Sequence, residues 1–539
     1  MMNWAWLSGR TFQMCLIAFG VLLRARHYFE NRSFWQDEIC LALSIVNRSF
    51  QEIWQHILLF PDFAQAPLIF QLIEKVFVGF FGNSEMSLRF FPFIASIAAL
   101  LLARRFFSRL LTPPAATIAL AIFALIEPLV YFAAELKPYG IDVLAALIVY
   151  EVFINVRKTW EPKRIVVLAI TGAVMIWFSY AMLFILAGCG IFLLYEEALR
   201  RDMRRVSALL LCYALWILSF VLLYQISLSK MLGGSLVGNW RLAGGFAPHT
   251  FFSGEGVLWL GQAFLNMFRS PLGMDWPWIM TGFFFYGSYT LIRRDKIMAG
   301  FLLGPLILVM AAAALDKYPF FERLVLFLVP GLLAVFAIGV WSLSTKVKRY
   351  GIWPGVLIFG VVLFSPVQTA FNKALSPRGQ EENREAVQYI SSRFQSGDEI
   401  IISNQAQYPF WYYGQKFGLM KKLQLQPVPG GGTAAWTPQL YPDVIHDHGM
   451  ALIAIRRGLG VYDDEGYYRK QVLVRGMSDP VFIPSTAPEF LKGKGRVWVF
   501  LSHHNSPEYP SIIDQTFSRA GIKIDSFERP GVAVYLYKL

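Results

Sequence analysis

Two adjacent carboxylates stand about a dozen residues beyond the first long apolar run, in the segment Trp35-Gln36-Asp37-Glu38-Ile39. A carboxylate at a membrane surface is suited to act as a general base or as a metal ligand. The plainer alternative is a solvated loop, where exposed acids are common. Asp37 and Glu38 are therefore the first candidates for chemistry.

A second acidic site lies in the otherwise apolar stretch Glu127–Gly140, where Glu135 and Lys137 stand two residues apart. Ionisable groups at membrane depth are costly, so they are generally functional. Glu127 precedes Pro128 and is open to two interpretations, because it could also satisfy backbone groups that the proline frees.

A third site is the loop Leu315–Arg323, which contains Lys317 and ends at Arg323 before an apolar run. Arg323 either extends to the membrane interface, as long cationic side chains do, or binds a phosphate through its guanidinium fork. Weaker candidates are His249, in a long loop where surface histidines are common, and Glu74 and Lys75 within an apolar segment. This neighbouring pair either anchors an interfacial helix or turns one member toward a cavity.

The composition indicates the elements that must position these residues. The 539-residue chain is 56% hydrophobic and 16% charged, against about a quarter charged in soluble domains. This excludes disordered, fibrous and disulfide-scaffold classes and predicts a polytopic membrane protein. A span needs about 20 apolar residues, and eleven candidates are predicted near 11–25, 86–103, 115–133, 141–157, 165–179, 181–196, 206–227, 277–292, 298–314, 324–343 and 351–370.

The net charge of +13 is an orientation signal, because the basic clusters fall in short gaps between apolar runs. These clusters lie at 104–109, 157–164, 200–205, 293–296 and 346–349. With a cytoplasmic N-terminus all five face the cytoplasm, and the odd number of spans places the C-terminal region outside. Nucleic-acid binding is therefore not expected.

The remaining segments are predicted outside the membrane core. The first outer loop, 26–85, carries juxtamembrane helices, and the loop 228–276 contains a helix near 256–268. After residue 370 charges become frequent, and the patterns of REAVQYISSRF, DEIIIS, FWYYGQKFG, RVWVFLS and VAVYLYKL predict alternating helices and strands. We therefore expect a transmembrane catalytic domain at 1–370 and a soluble α/β domain at 371–539.

This arrangement resembles the C-type (GT-C) membrane glycosyltransferases, in particular the bacterial protein-mannosyltransferase and aminoarabinose-transferase superfamily. The resemblance covers roughly residues 10–370 and rests on Trp35–Ile39, Ala66–Gly82, Ser87-Leu88-Arg89-Phe90, Glu135–Tyr139 and Tyr318–Arg323. Relatives often have a second Asp where this chain has Glu135, and Arg or Gln where it has Lys137. The segment Gly397–Tyr413 is also similar to the periplasmic domain of some members.

The resemblance implies transfer of a hexosyl or pentosyl group from a polyprenyl-phosphate donor to a glycan, lipid or protein acceptor. It implies Asp37 as the base, Glu38 as its companion and Glu135 as a second acid, with Mg²⁺ or Mn²⁺ at Asp37 and Glu135 as an option. The expected location is the bacterial inner membrane, with a periplasmic C-terminal domain.

The same chemistry also follows from first principles. An attacking hydroxyl needs a carboxylate to accept its proton, and a departing lipid phosphate needs cations. Lys137 and Arg323 are the principal candidates for that phosphate, with Lys317 and Tyr139 in the same two loops. Two alternatives remain, a transporter or flippase for a lipid-linked or anionic substrate and a structural assembly protein.

Overall fold

The described residues of this computed structural model are 9–55, 65–231, 236–250, 253–350, 353–375, 379–403, 406–422, 452–455, 495–503 and 509–539. They form two compact units. The first contains the described residues of Met1–Asn31, Phe50–His56 and Gln65–Pro377, and the second joins Arg32–Ser49 to the described residues of Arg378–Leu539. The division at residue 370 stays a prediction, and the short segment Arg32–Ser49 clusters with the C-terminal region.

The first unit is helical. Its α-helices, numbered with the second unit's α2 omitted, are α1 (Arg10–Phe29), α3 (Phe50–Trp54), α4 (Leu68–Phe81), α5 (Glu85–Leu110), α6 (Pro113–Leu125), α7 (Glu127–Tyr131), α8 (Tyr139–Lys158), α9 (Pro162–Phe178), α10 (Met182–Leu199), α11 (Met203–Leu223), α12 (Ser229–Met231), α13 (Leu236–Leu242), α14 (Gly254–Arg269), α15 (Pro277–Arg294), α16 (Lys296–Ala314), α17 (Val329–Val347) and α18 (Trp353–Leu375). Short 3₁₀ turns at Phe132–Ala134 and Glu322–Leu328 precede α8 and α17.

The predicted multi-pass membrane fold is confirmed, since each of the eleven predicted spans coincides with helix. Among the described residues, seven helices are long and apolar enough to cross a membrane. An eighth span is formed if α6 and the helical turns after it are counted together, although they bend by 55°. The other three predicted spans coincide with α1, α9 and α15, which do not meet the same length and composition criteria.

Apolar surface distinguishes the outside of the first unit from its core. Helix α6 is almost entirely buried, whereas α11 exposes large apolar side chains such as Leu211 and Ile217, as a lipid-facing helix does. Helices α15 and α17 approach closely at Gly287 and Gly339. A Cβ at Gly339 would lie 1.9 Å from the carbonyl oxygen of Phe283, so only glycine allows this contact.

Several cations of the predicted cytoplasmic clusters also form ion pairs that join helices. Arg157 on α8 donates to Glu196 on α10 at 2.8 Å and to Asp295, before α16, at 2.7 Å. Arg105 and Arg109 on α5 both pair with Glu151 on α8. The clusters interpreted as topology signals therefore also contribute to helix packing.

The second unit contains α2 (Gln36–Asn47) and a mixed sheet with helices. Its further helices are α19 (Asn383–Arg393), α20 (Gln407–Lys416), α21 (Leu419–Lys422) and α22 (Tyr509–Ala520), and its strands are β1 (Glu399–Ser403), β2 (Leu452–Ile455), β3 (Arg496–Ser502), β4 (Ile522–Arg529) and β5 (Val532–Lys538). Among the described strands the order is β2-β1-β3-β5-β4, with β1–β3 parallel and the other neighbouring pairs antiparallel. The predicted soluble α/β fold is confirmed.

Candidate functional site

The structure distinguishes between the two adjacent acids of the first loop. Both lie in the first turn of α2, where a negative charge suits the helix N-terminus. Asp37 is partly exposed, whereas the side chain of Glu38 is fully buried. Of the two residues, Asp37 is therefore the more exposed to solvent. Asp37 belongs to the second unit and Glu135 to the first, so their predicted cooperation stays a prediction.

The segment that presents Glu135 begins at a break in the helix α6. Pro128 has no amide hydrogen, so it leaves the carbonyl of Ala124 without its helical donor. Arg24, fully buried on α1, replaces that donor: its guanidinium donates to the carbonyl oxygens of Ala124 at 3.0 Å and Phe123 at 3.3 Å. Its Nε also donates to Ser96 on α5 at 3.0 Å. Arg24 thus donates to two carbonyls at the end of α6. The role suggested for Glu127 stays a prediction.

Sequence reasoning did not identify Arg24, because an arginine near the end of an apolar run is usually an interfacial residue. The available signal was its position inside the predicted span 11–25. A charged side chain within a span requires partners, and a proline-broken helix supplies unpaired carbonyls. Arg24 also lines a small cavity with Phe132, Tyr139 and Gly140, so it lies beside the predicted second acidic site.

The residues Glu135 to Lys137 form a tight, buried turn between the 3₁₀ turn Phe132–Ala134 and α8. The amide of Lys137 donates to the carbonyl of Glu135 at 2.7 Å. The side chains of Glu135 and Lys137 are only 1% and 5% exposed. Buried charges are retained where they are paired or bind a ligand, so this turn is the strongest candidate for a binding element in the first unit.

The structure brings Arg323 next to this turn. Its guanidinium carbon lies 6.0 Å from the ring centre of Tyr139, the first residue of α8, and 5.4 Å from that of Trp240 on α13. Aromatic faces hold a cation by their quadrupole without neutralising its charge. Arg323 is therefore oriented by two rings and remains positively charged, which suits an anion such as phosphate. Trp240 was not singled out from the sequence.

The loop before Arg323 is held by Tyr318, whose hydroxyl donates to the carbonyl of Leu324 at 2.8 Å. Burial raises the pKa of Tyr318 well above its ordinary value, so it stays a neutral donor. Lys317 beside it is exposed. His249 is 80% exposed and lies 3.8 Å from Asp316, which also pairs with Arg241 at 2.7 Å. These contacts connect the long loop to the loop that carries Arg323.

The juxtamembrane helix α4 buries one acid. Glu74 has no exposed surface, and neither of its carboxylate oxygens has a hydrogen-bond partner among the described residues. Burial therefore raises the pKa of Glu74 well above its ordinary value. Lys75, next along the helix, is partly exposed, and Phe80 and Phe81 near its end are strongly exposed, as expected for an interfacial helix.

The metal prediction finds no cluster to support it. Within the described ranges, no group of three or more His, Cys, Asp or Glu side chains is arranged to hold one ion. The predicted ligands Asp37 and Glu135 lie in different units. We therefore derive no step through a metal, and the roles of all site residues stay predictions.

Comparison with known proteins finds similarity only at the level of structure. No family model and no curated protein matches the chain. ArnT from Cupriavidus metallidurans, solved with bound undecaprenyl phosphate, superposes with a TM-score of 0.50 at 11% identity, covering 98% of both chains. The apo form of that protein gives a TM-score of 0.47 at 10% identity, covering 96% of this chain and 97% of that one.

A second solved protein is also similar. The archaeal oligosaccharyltransferase AglB from Archaeoglobus fulgidus, in complex with an inhibitory peptide and a dolichol-phosphate, gives a TM-score of 0.49 at 13% identity, covering 97% of this chain and 74% of that one. ArnT is a C-type membrane glycosyltransferase. The superposition with ArnT extends through the C-terminal domain. The chain therefore has the fold of the C-type membrane glycosyltransferases.

Replacing Arg24 by Met tests its role at the break in α6. The variant keeps a long side chain but leaves the carbonyls of Ala124 and Phe123 without their donor, each at a cost of about 1–3 kcal/mol. We expect the free energy of unfolding in detergent micelles to fall by about 2 kcal/mol or more. Arg26→Met, on the exposed side of the same helix, is the control and should change little. Equal stability of the two variants would contradict this role.

Replacing Glu74 by Gln tests whether the buried carboxyl of Glu74 is protonated in the folded protein. With its pKa raised, folded Glu74 keeps a proton that the unfolded chain loses above about pH 4.5, so its contribution to stability falls as pH rises above that value. Glutamine removes this dependence. We therefore expect Glu74→Gln to gain melting temperature relative to wild type at pH 8 but not at pH 5. The control Glu255→Gln, at an exposed position, should show no such pH-dependent difference in melting temperature. If the difference in melting temperature between Glu74→Gln and wild type were the same at pH 5 and pH 8, Glu74 would not be the protonated buried group described here.

Proposed function

We propose that this protein is an integral membrane glycosyltransferase that moves a sugar from a polyprenyl-phosphate donor to an acceptor. The observation that carries the proposal is the arrangement of Arg323 and Tyr139 beside the buried Glu135–Lys137 turn, in a chain with this fold. This arrangement provides two cations, Arg323 and Lys137, within an apolar helical unit that can also accommodate the lipid chain of the donor. ArnT, which superposes along its whole length, was solved with undecaprenyl phosphate.

The two cations have complementary properties as phosphate ligands. Arg323 offers a planar fork that matches two phosphate oxygens, and its stacking on Tyr139 and Trp240 limits its orientations. Lys137 is a compact charge fixed in a buried turn. In the proposed reaction they stabilise the negative charge that develops on the departing lipid phosphate, which lowers the barrier to breaking the sugar–phosphate bond.

We propose that Asp37 is the general base. Its partial exposure is compatible with accepting the proton of an attacking acceptor hydroxyl, and the buried Glu38 remains its proposed companion. Glu135 remains our second acidic candidate. Lys317, which is exposed, remains our candidate for a contact with the donor phosphate, and the exposed His249 remains a weaker candidate for the site. A divalent metal at Asp37 or Glu135 remains a prediction.

The proposed setting is the bacterial inner membrane, with the N-terminus cytoplasmic and the second unit periplasmic. The distribution of the basic clusters supports this orientation. The acceptor is a glycan, lipid or protein. The transporter alternative gains no support, since no described contact favours it over a transferase.

Replacing Asp37 by Asn tests the proposed function. Asparagine keeps the size of the side chain but cannot accept the proton, and a general base contributes about 10²- to 10⁴-fold. We expect release of free polyprenyl phosphate from polyprenyl-phosphate sugars to fall by at least about 100-fold, at an unchanged melting temperature. The release of the lipid phosphate is measured because it does not depend on identifying the glycosylated product.

The matched control is Asp275→Asn, which makes the same chemical change at an exposed position before α15. It should retain wild-type release. Wild-type release by Asp37→Asn would show that Asp37 is not the base. Absence of release by the wild-type protein with every donor tested, each supplied with mixed envelope acceptors, would count against the function itself.

A further inference from the structure

The backbone that leads into Asp37 is held by side chains from the C-terminal region, more than 340 positions later in the chain. The carboxylate of Glu381 accepts a hydrogen bond from the amide of Gln36 at 3.0 Å. The side-chain amide of Asn383 donates to the backbone carbonyl of Phe34 at 3.1 Å. The backbone amide of Phe34 donates to the hydroxyl of Tyr413 at 2.8 Å. We call Glu381, Asn383 and Tyr413 the α2 clamp.

The contact made by Glu381 is of a specific kind. Gln36 is the first residue of α2, and the preceding residue Trp35 makes no side-chain cap. The first amides of a helix have no partner within the helix and need an acceptor from elsewhere. Glu381 supplies a charged acceptor, which forms a stronger bond than a neutral one. The amide that it binds is adjacent to Asp37, so the bond fixes the backbone from which the Asp37 side chain projects.

Glu381 is itself held on both oxygens and buried, with 7% of its surface exposed. Its second oxygen lies 2.5 Å from Nδ1 of His503, at the end of β3. Asn383 donates to the same oxygen as Gln36, at 2.8 Å, and in turn accepts a bond from Ser502 at 2.6 Å. A carboxylate with this many partners has a single orientation, so the position of the sheet is transmitted to the start of α2.

The turn between β4 and β5 closes the other side of Glu381. Gly531 adopts φ +71°, and a Cβ there would lie 2.3 Å from the carbonyl oxygen of Gln380. The carbonyl of Gly531 accepts from the amide of His503 at 3.2 Å, and that of Pro530 accepts from the amide of Glu382 at 3.0 Å. The sheet of the second unit is thus built around the residue that binds α2.

We propose that Glu381 is a positioning residue for the transfer reaction: through the amide of Gln36 it holds α2 so that Asp37 has the orientation needed of a base. This inference rests on the proposed function of Asp37. It gives the C-terminal domain a defined task, the support of a catalytic segment that lies far away in sequence. Small displacements of a catalytic group can cost about 100-fold in rate, so the bond is expected to affect turnover more than stability.

The test compares Glu381→Gln with Glu382→Gln in the full-length protein. Glutamine retains the shape of Glu381 but weakens the bond to the amide of Gln36. Glu382 is the neighbouring carboxylate, and it forms a surface ion pair with Arg529 at 3.7 Å. We expect Glu381→Gln to lower kcat roughly 10- to 100-fold, with KM for the lipid donor within about twofold, because donor contacts are not altered. Glu382→Gln should behave as wild type.

Hydrogen exchange separates this proposal from the proposed function. In Glu381→Gln the amides of residues 34–38 should exchange faster, while those of β3 and β5 stay protected. Wild-type kcat in Glu381→Gln, or a loss of kcat that only follows a loss of folded protein, would overturn the positioning role. If the wild-type protein shows no transfer, the function of the enzyme fails instead. Exchange at 34–38 then decides whether the α2 clamp exists, and unchanged exchange there rejects it.

Discussion

The arrangement of the first unit depends on how a broken membrane helix satisfies its backbone. In a bilayer no water is available to the carbonyls that Pro128 frees, so a protein donor must replace the missing amide. Arg24 does so from α1 and is simultaneously bound to Ser96 of α5. The bend therefore becomes a fixed junction of three helices. The turn that carries Glu135 and Lys137 begins seven residues after Pro128. The buried charge of Arg24 thus fixes the segment that leads to this turn.

A comparable solution operates in the second unit, with the charges reversed. There the backbone groups that lack a partner within the helix are the amides at the start of α2, and a buried carboxylate, Glu381, accepts from the amide of Gln36. In both units a buried ionic side chain fixes the end of a helix, and a candidate catalytic residue follows. The stabilising interactions thus lie next to the proposed chemistry and not within it.

Much of the fold could be predicted because long apolar runs can only be spanning or buried helices, and each predicted span coincides with helix. The strands with continuous burial, β1, β3 and β5, were also predicted. Strand β4 was not predicted, because as an edge strand it is mostly exposed and its sequence IKIDSFER lacks a buried apolar run. Residues 423–451 and 456–494 lie outside the described part of the chain.

The candidate site was predictable in its residue types but not in its partners. Glu135, Lys137 and Arg323 were candidates because a charged residue beside or within an apolar stretch requires a reason. Sequence spacing could not separate Asp37 from Glu38, because only the packing of α2 determines which is buried. It also could not identify Trp240 or Glu381, whose contacts join positions far apart in the chain. Such residues have ordinary types for their local context, and their roles arise only from tertiary structure.

The most direct test of the account is a density map of the protein with a bound polyprenyl phosphate. The central claim is that the cations beside the Glu135–Tyr139 turn bind the phosphate of the donor lipid. The account predicts phosphate oxygens within about 3.5 Å of the guanidinium of Arg323 or of Nζ of Lys137, with the polyprenyl chain along the apolar helices. Phosphate density at a site that contacts neither cation would contradict it.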